Sequence, residues 1–304
     1  MNVAPTEDVS PLATSSIRAR SRPWALVGVW GWESALSLVA SAPAVALVRA
    51  AYGRHPEADA PLWAPGSLPL LGLLSRETNG VRAATTTAAI VLLLAAVIGL
   101  VPLAALMVSI STSTREGHGI GVPRTIEWAL RAFRPLVVLL LVVSIAQGVG
   151  LAMAFLLGEG LQSWTIPSLG EALAQQLAIG VGAALLLGAV ALGVAQDLAR
   201  AAVIRLELGA MSALTLGVRA LRRAPMAIGW SWAWRALASI APVVAVSLVA
   251  DRIGGRGGIA LIALAVLHQS AILSRVTLRA SWLATAMRWM DGFAAQERAA
   301  ALDD

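Results

Sequence analysis

Few residues in this chain could do chemistry, and two opposite charges in a repeated pattern stand out among them. The stretches "RSRPWALVGVWGWE" (20–33) and "RRAPMAIGWSWAWR" (222–235) each set arginine and proline before an apolar run. Tryptophans follow, Trp30 and Trp32 in one and Trp232 and Trp234 in the other, and the next residue is Glu33 or Arg235. Each charge lies about ten residues past its proline, which is roughly 15 Å along a helix. If both helices start at the same face of a ~30 Å hydrocarbon layer, both charges reach its middle. Left alone there, each would cost roughly 2.5–3.5 kcal/mol. The pattern therefore predicts an ion pair between Glu33 and Arg235 on neighbouring helices. A substrate or ion pathway lined by the two is the alternative, since ionisable groups inside a membrane are candidates for function.

Other polar residues within apolar runs include Gln147, Gln196, Asp197, His268 and Gln269. Asp197 and Arg200 are three apart, on one helix face, and predict a local ion pair. His268 stands alone and reads as a buried, hydrogen-bonded side chain, with a proton relay as the sharper alternative. In "HPEAD" (55–59), His55, Glu57 and Asp59 could reach one metal ion, but no second ligand cluster supports them. "GHGIG" (117–121) follows an apolar helix rather than a strand, so it is not a dinucleotide fingerprint. No P-loop, zinc-protease, nucleophile-elbow or kinase motif is present. Without cysteine there are no disulfides or thiolate sites. These residues predict no enzyme, no cofactor and no metal.

The elements that carry them follow from composition. Of 304 residues, 58% are apolar and 13% charged, too little polarity to cover a soluble domain. Six apolar runs are long enough to cross a bilayer, at about 24–49, 83–111, 135–157, 172–199, 226–250 and 258–278. Residues 1–21 read as a disordered cytoplasmic tail, 22–290 as the six-span domain and 291–304 as a second cytoplasmic tail. The proline-rich segment 61–74 is too short to span and predicts an interfacial or re-entrant piece, with 160–171 a smaller version. Cleavage of the first run as a signal peptide is disfavoured by Glu33 within it and by its length.

All 23 basic residues are arginine, and they gather at the ends of the apolar runs. One alternate set of connecting segments holds sixteen arginines and the other six, so the positive-inside rule puts both termini in the cytoplasm of a bacterial inner membrane. The same placement, despite a net charge of +6, argues for a membrane surface and against nucleic acid as the partner of the arginines. Runs one, three and five open on "SRPW", "FRPL" and "RRAP", where proline suits a first helical turn. The chain thus reads as an all-α, polytopic transmembrane bundle of three repeated hairpins. Segments 123–134 and 208–223 have helical periodicity and predict cytoplasmic interfacial helices. Small residues every fourth position, Ala146, Gly150 and Ala154 against Gly180, Ala184 and Gly188, predict a tight hairpin of runs three and four.

This layout resembles a loose group of bacterial six-helix membrane proteins, the YciC-type proteins and the membrane domain of some glycerophosphodiester phosphodiesterases. The likeness lies in "PRTIEWALRAFRPLVVLLLVV" (123–143) and "ARAAVIRLELGAMSALTLGVRALRRAP" (199–225), each feeding the next span. The resemblance implies a stand-alone membrane domain. The phosphodiesterase H-R-G motif is missing, so no catalytic residue carries over. The expected role is a non-enzymatic scaffold or accessory protein whose arginine-rich ends hold anionic lipid headgroups, a protein partner or a second copy. The alternative is a small transporter with Glu33, Arg235, His268 and Asp197 near its path.

Overall fold

A computed structural model describes residues 23–53, 78–111, 121–253 and 258–303, and the described residues form helices joined by short turns, with no strand among them. In order the helices are α1 (Pro23–Tyr52), α2 (Thr78–Ile98), α3 (Leu100–Ser111), α4 (Val122–Leu169), α5 (Glu171–Leu206), α6 (Ala210–Arg223), α7 (Pro225–Ile253) and α8 (Ile259–Asp303). Taking α2 and α3 as one, six helices are long and apolar enough to cross a membrane. The chain is a multi-pass membrane protein. Its exposed surface fits that solvent: Leu38, Ile145, Phe155, Leu187 and Leu248 all stand out from the protein, which lipid tolerates where water would not.

The helices fall into two compact units. One comprises Ile110–Trp232 and the chain from Trp282 onward; the other comprises the described residues up to Ser109 and Ala233–Ser281.

In the first unit α4 and α5 form an antiparallel pair. The Gln147 amide donates to the Ala189 carbonyl at 3.0 Å and the Gln196 amide to the Leu139 carbonyl at 3.4 Å. Positions rise along α5 as they fall along α4, so the two arms of the hairpin run oppositely. Segment 160–169 is the end of α4 rather than a re-entrant piece, and only Gly170 separates it from α5. Gly170 takes φ 77° and ψ 162°, a region open essentially to glycine.

Two further expectations change here. Pro135 does not open a helix, because α4 already starts at Val122 and passes through it, so segment 123–134 is part of the spanning helix and not a separate interfacial one. A lost N–H is tolerated once helical neighbours hold the backbone on both sides. The hairpin contact on α5 also differs: Gly180, Ala184 and Gly188 are exposed, while Ala174 is buried and Ala178, Gly182, Leu185 and Ala189 are half-buried. Small side chains are too abundant on this helix for spacing alone to select the contact face.

α5 ends at Glu207, whose left-handed φ of 53° turns the chain toward α6. α6 is sharply amphipathic and buries Ala213, Leu216, Gly217 and Ala220, packing on α5. Its apolar face is therefore covered by protein. The end of α8 supplies the rest of this core: Trp282, Leu283, Ala286, Met287 and Met290 are buried. α8 runs on through the segment read as the second tail, as far as Asp303.

In the second unit α1 packs on α2. The break between α2 and α3 falls at Gly99, three residues before Pro102, whose ring cannot accept the carbonyl of Ile98 in a regular helix. A Cβ on Gly99 would stand 3.0 Å from the Trp32 indole nitrogen, so the second tryptophan of the repeated pattern lies against a notch that only glycine leaves open.

Candidate functional site

The polar side chains buried in the first unit form two linked sets of charge. Asp197 and Arg200, one turn apart on α5, pair at 2.8 Å. The second carboxylate oxygen of Asp197 accepts a hydrogen bond from Trp282 Nε1 of α8 at 3.0 Å. Both oxygens of the acid are thus held, one by its own helix and one by a neighbour. All three residues are buried.

Five residues further along α5, Arg205 makes the stronger pair. Its Nη2 lies 2.6 Å from Asp291 Oδ2 and its Nε 3.1 Å from Oδ1, a fork-on-fork contact between α5 and α8. Nη1 reaches the Ser111 carbonyl at the end of α3 at 3.5 Å. Arg205 is 1% exposed. The planar guanidinium suits this bidentate geometry, and its weaker hydration lowers the cost of burying it. The sequence offers little signal for this pair. Arg205 reads as one more arginine beyond a span, and Asp291 falls in a segment that reads as tail.

The charges of the repeated tryptophan pattern, and the polar residues of the last span, lie in the second unit. Trp30 Nε1 donates to the Gln269 carbonyl at 3.3 Å, and Ser34 Oγ to Gln269 Oε1 at 2.8 Å. Gln269 thereby ties α8 to α1. Replacing it with leucine removes the Ser34 bond and is expected to cost about 0.6–1.7 kcal/mol, the range for hydrogen bonds between membrane helices. Thermal unfolding in detergent would measure it; an unchanged midpoint would mean that Ser34 finds another acceptor at no cost.

Arg235 lies over the Trp234 ring at 4.5 Å and its Nε donates to Ser281 Oγ at 3.2 Å. The expected pairing with Glu33 is not among the ion pairs of the described residues. Equal depth along two helices does not make their side chains neighbours, and an indole face and a hydroxyl take up the guanidinium instead. Glu33 is half-buried. His268 is exposed, not buried as predicted; it sits on the face of α8 that also exposes Leu261, two turns earlier.

The chain matches no known protein-family model, no curated protein and no solved structure. Its chemistry must be read from its own residues. Among the described residues, no three histidine, aspartate or glutamate side chains converge as metal ligands; the "HPEAD" segment lies outside them. Asp197 and Arg200 hold each other along α5 while Arg205 holds Asp291 across α5 and α8, an arrangement suited to fixing helices in place.

Proposed function

We propose that this protein is a non-enzymatic scaffold or accessory protein of the bacterial inner membrane, with both termini cytoplasmic and anionic lipid as its constant partner. The carrying observation is that each charged side chain buried among the described residues meets an opposite charge: Arg200 meets Asp197, and Arg205 meets Asp291. A transport path needs a charge that can trade its protein partner for water or substrate near mid-bilayer. Closed pairs favour rigidity over exchange. Arginines at helix ends, such as Arg222 and Arg223 in the last turn of α6, favour an anionic leaflet. The resemblance to stand-alone six-helix membrane domains agrees with this reading.

One observation keeps the transporter reading in play. Glu33 lies ten residues into an apolar helix, half-buried, with no ion pair among the described residues. The two readings separate by water access. The chain has no cysteine, so Ser37→Cys and Ala236→Cys each place a single thiol beside Glu33 or Arg235. With a membrane-impermeant thiol reagent in oriented vesicles, the scaffold reading expects protection from both faces. Labelling at either position would replace it with an aqueous pathway.

A further inference from the structure

The first unit holds an open-sided cavity of about 520 Å³ where the end of α6, the start of α7 and the later part of α8 meet. Its floor is apolar, made by the buried side chains of Ala220, Ile228 and Phe293. Its rim is basic, with Arg223 from α6 and Arg288 from α8. Arg223 is held over the Phe293 ring at 4.8 Å, and Arg288 donates to Thr285 Oγ1 at 3.1 Å. Among the described residues, no carboxylate lines the cavity. The two acids nearest on α8 are already engaged, Asp291 by Arg205 and Glu297 by Arg219 at 3.7 Å. Two positive charges therefore face a space whose described lining has no acid. The volume is that of an ordinary small-molecule pocket.

We propose that this cavity binds the phosphate-bearing headgroup of an anionic phospholipid, with Arg223 and Arg288 as its charge partners. This deepens the reading above and rests on it. Guanidinium groups match phosphate oxygens in geometry and charge. Gln296 and Thr285 on the wall offer hydrogen bonds to headgroup hydroxyls. The source is lipid rather than a soluble ion because α7 is itself a membrane-capable helix that starts here. Its first turns expose Met226 (85%) and Trp230 (71%), an apolar flank against which acyl chains lie while tryptophan marks the headgroup level.

The test uses the full chain in neutral detergent and native mass spectrometry, titrated with phosphatidylglycerol, with phosphatidylcholine of the same acyl chains, and with inorganic phosphate. Phosphatidylglycerol is expected to bind more tightly than phosphatidylcholine, and millimolar phosphate to leave it in place. At about a fivefold loss per interfacial arginine, Arg223→Gln with Arg288→Gln should weaken phosphatidylglycerol roughly 30-fold. Gly292→Phe should weaken it comparably while keeping both charges. Gly292 lines the cavity, and a Cβ there meets nothing within 4 Å, so a larger side chain can start from this position without striking the backbone. Arg131→Gln, on an exposed arginine paired with Glu127, is the control and should change nothing.

Wild-type affinity in the double variant, or in Gly292→Phe, would overturn the site. An equal loss in Arg131→Gln would also overturn it while leaving general attraction to anionic lipid standing. Displacement of the lipid by phosphate would overturn the lipid as occupant. If the wild type does not distinguish phosphatidylglycerol from phosphatidylcholine, both the cavity and the anionic-lipid reading fall.

Discussion

Asp291→Ala is expected to destabilise the protein by about 3 kcal/mol, because it leaves a buried charge behind. Arg205 is 1% exposed and spends its Nε and Nη2 on Asp291; without the acid it is a buried cation that has lost its carboxylate. Breaking a buried pair from one side costs roughly 3–5 kcal/mol. The lower end applies because the Asp291 side chain is 30% exposed, so its removal lets water approach the guanidinium. Replacing both partners, Arg205→Met with Asp291→Leu, should recover most of the loss, since a packed apolar pair is often as stable as a buried ionic one. Tryptophan fluorescence during thermal unfolding is a direct readout, because Trp282 and Trp289 lie close before Asp291 on α8. Equal destabilisation in the single and double variants would show that packing volume, rather than charge, holds α5 to α8.

This pair also marks where sequence reading ends. Six runs of about 20 apolar residues are legible because length and hydropathy are local quantities. The Asp197–Arg200 pair is legible for the same reason, as both ends lie on one helix turn. Arg205 and Asp291 are 86 residues apart, and nothing in the local pattern of either selects the other. Glu33 and Arg235 show the converse failure. Their matching positions in a repeated motif suggest contact, but motif position fixes only depth along a helix. Rotation about the helix axis and the choice of neighbour are set by packing, which here gives Arg235 an indole and a serine. The small-residue stripe on α5 fails likewise, since a helix rich in alanine and glycine presents small residues on every face, whereas Gly150 and Ala154 of the α4 stripe are half-buried.

Gly217→Ala should destabilise the protein by about 1–2 kcal/mol and Gly217→Leu by more, against the usual benefit of removing glycine from a helix. On α6, a Cβ at this position would stand 2.8 Å from the Ala195 carbonyl oxygen and 3.1 Å from the Ala199 nitrogen. Both are backbone atoms of α5, so no rotamer change can relieve the contact. The helices must separate, and overpacking of this kind costs typically about 1–3 kcal/mol. Propensity alone would favour alanine by up to about 1 kcal/mol. Gly292→Ala isolates that term, since a Cβ there meets nothing within 4 Å, and it should stabilise. The same chemical change is therefore expected to have opposite signs at two helical glycines of one unit. Displacing α6 also moves Arg219 from Glu297 and Arg223 from Phe293. Trypsin should then cut after Arg219, Arg222 or Arg223 faster in Gly217→Leu than in the wild type. If both glycine variants stabilise alike, α6 is free to shift on α5, and a cavity built from its last turn would lose its fixed wall.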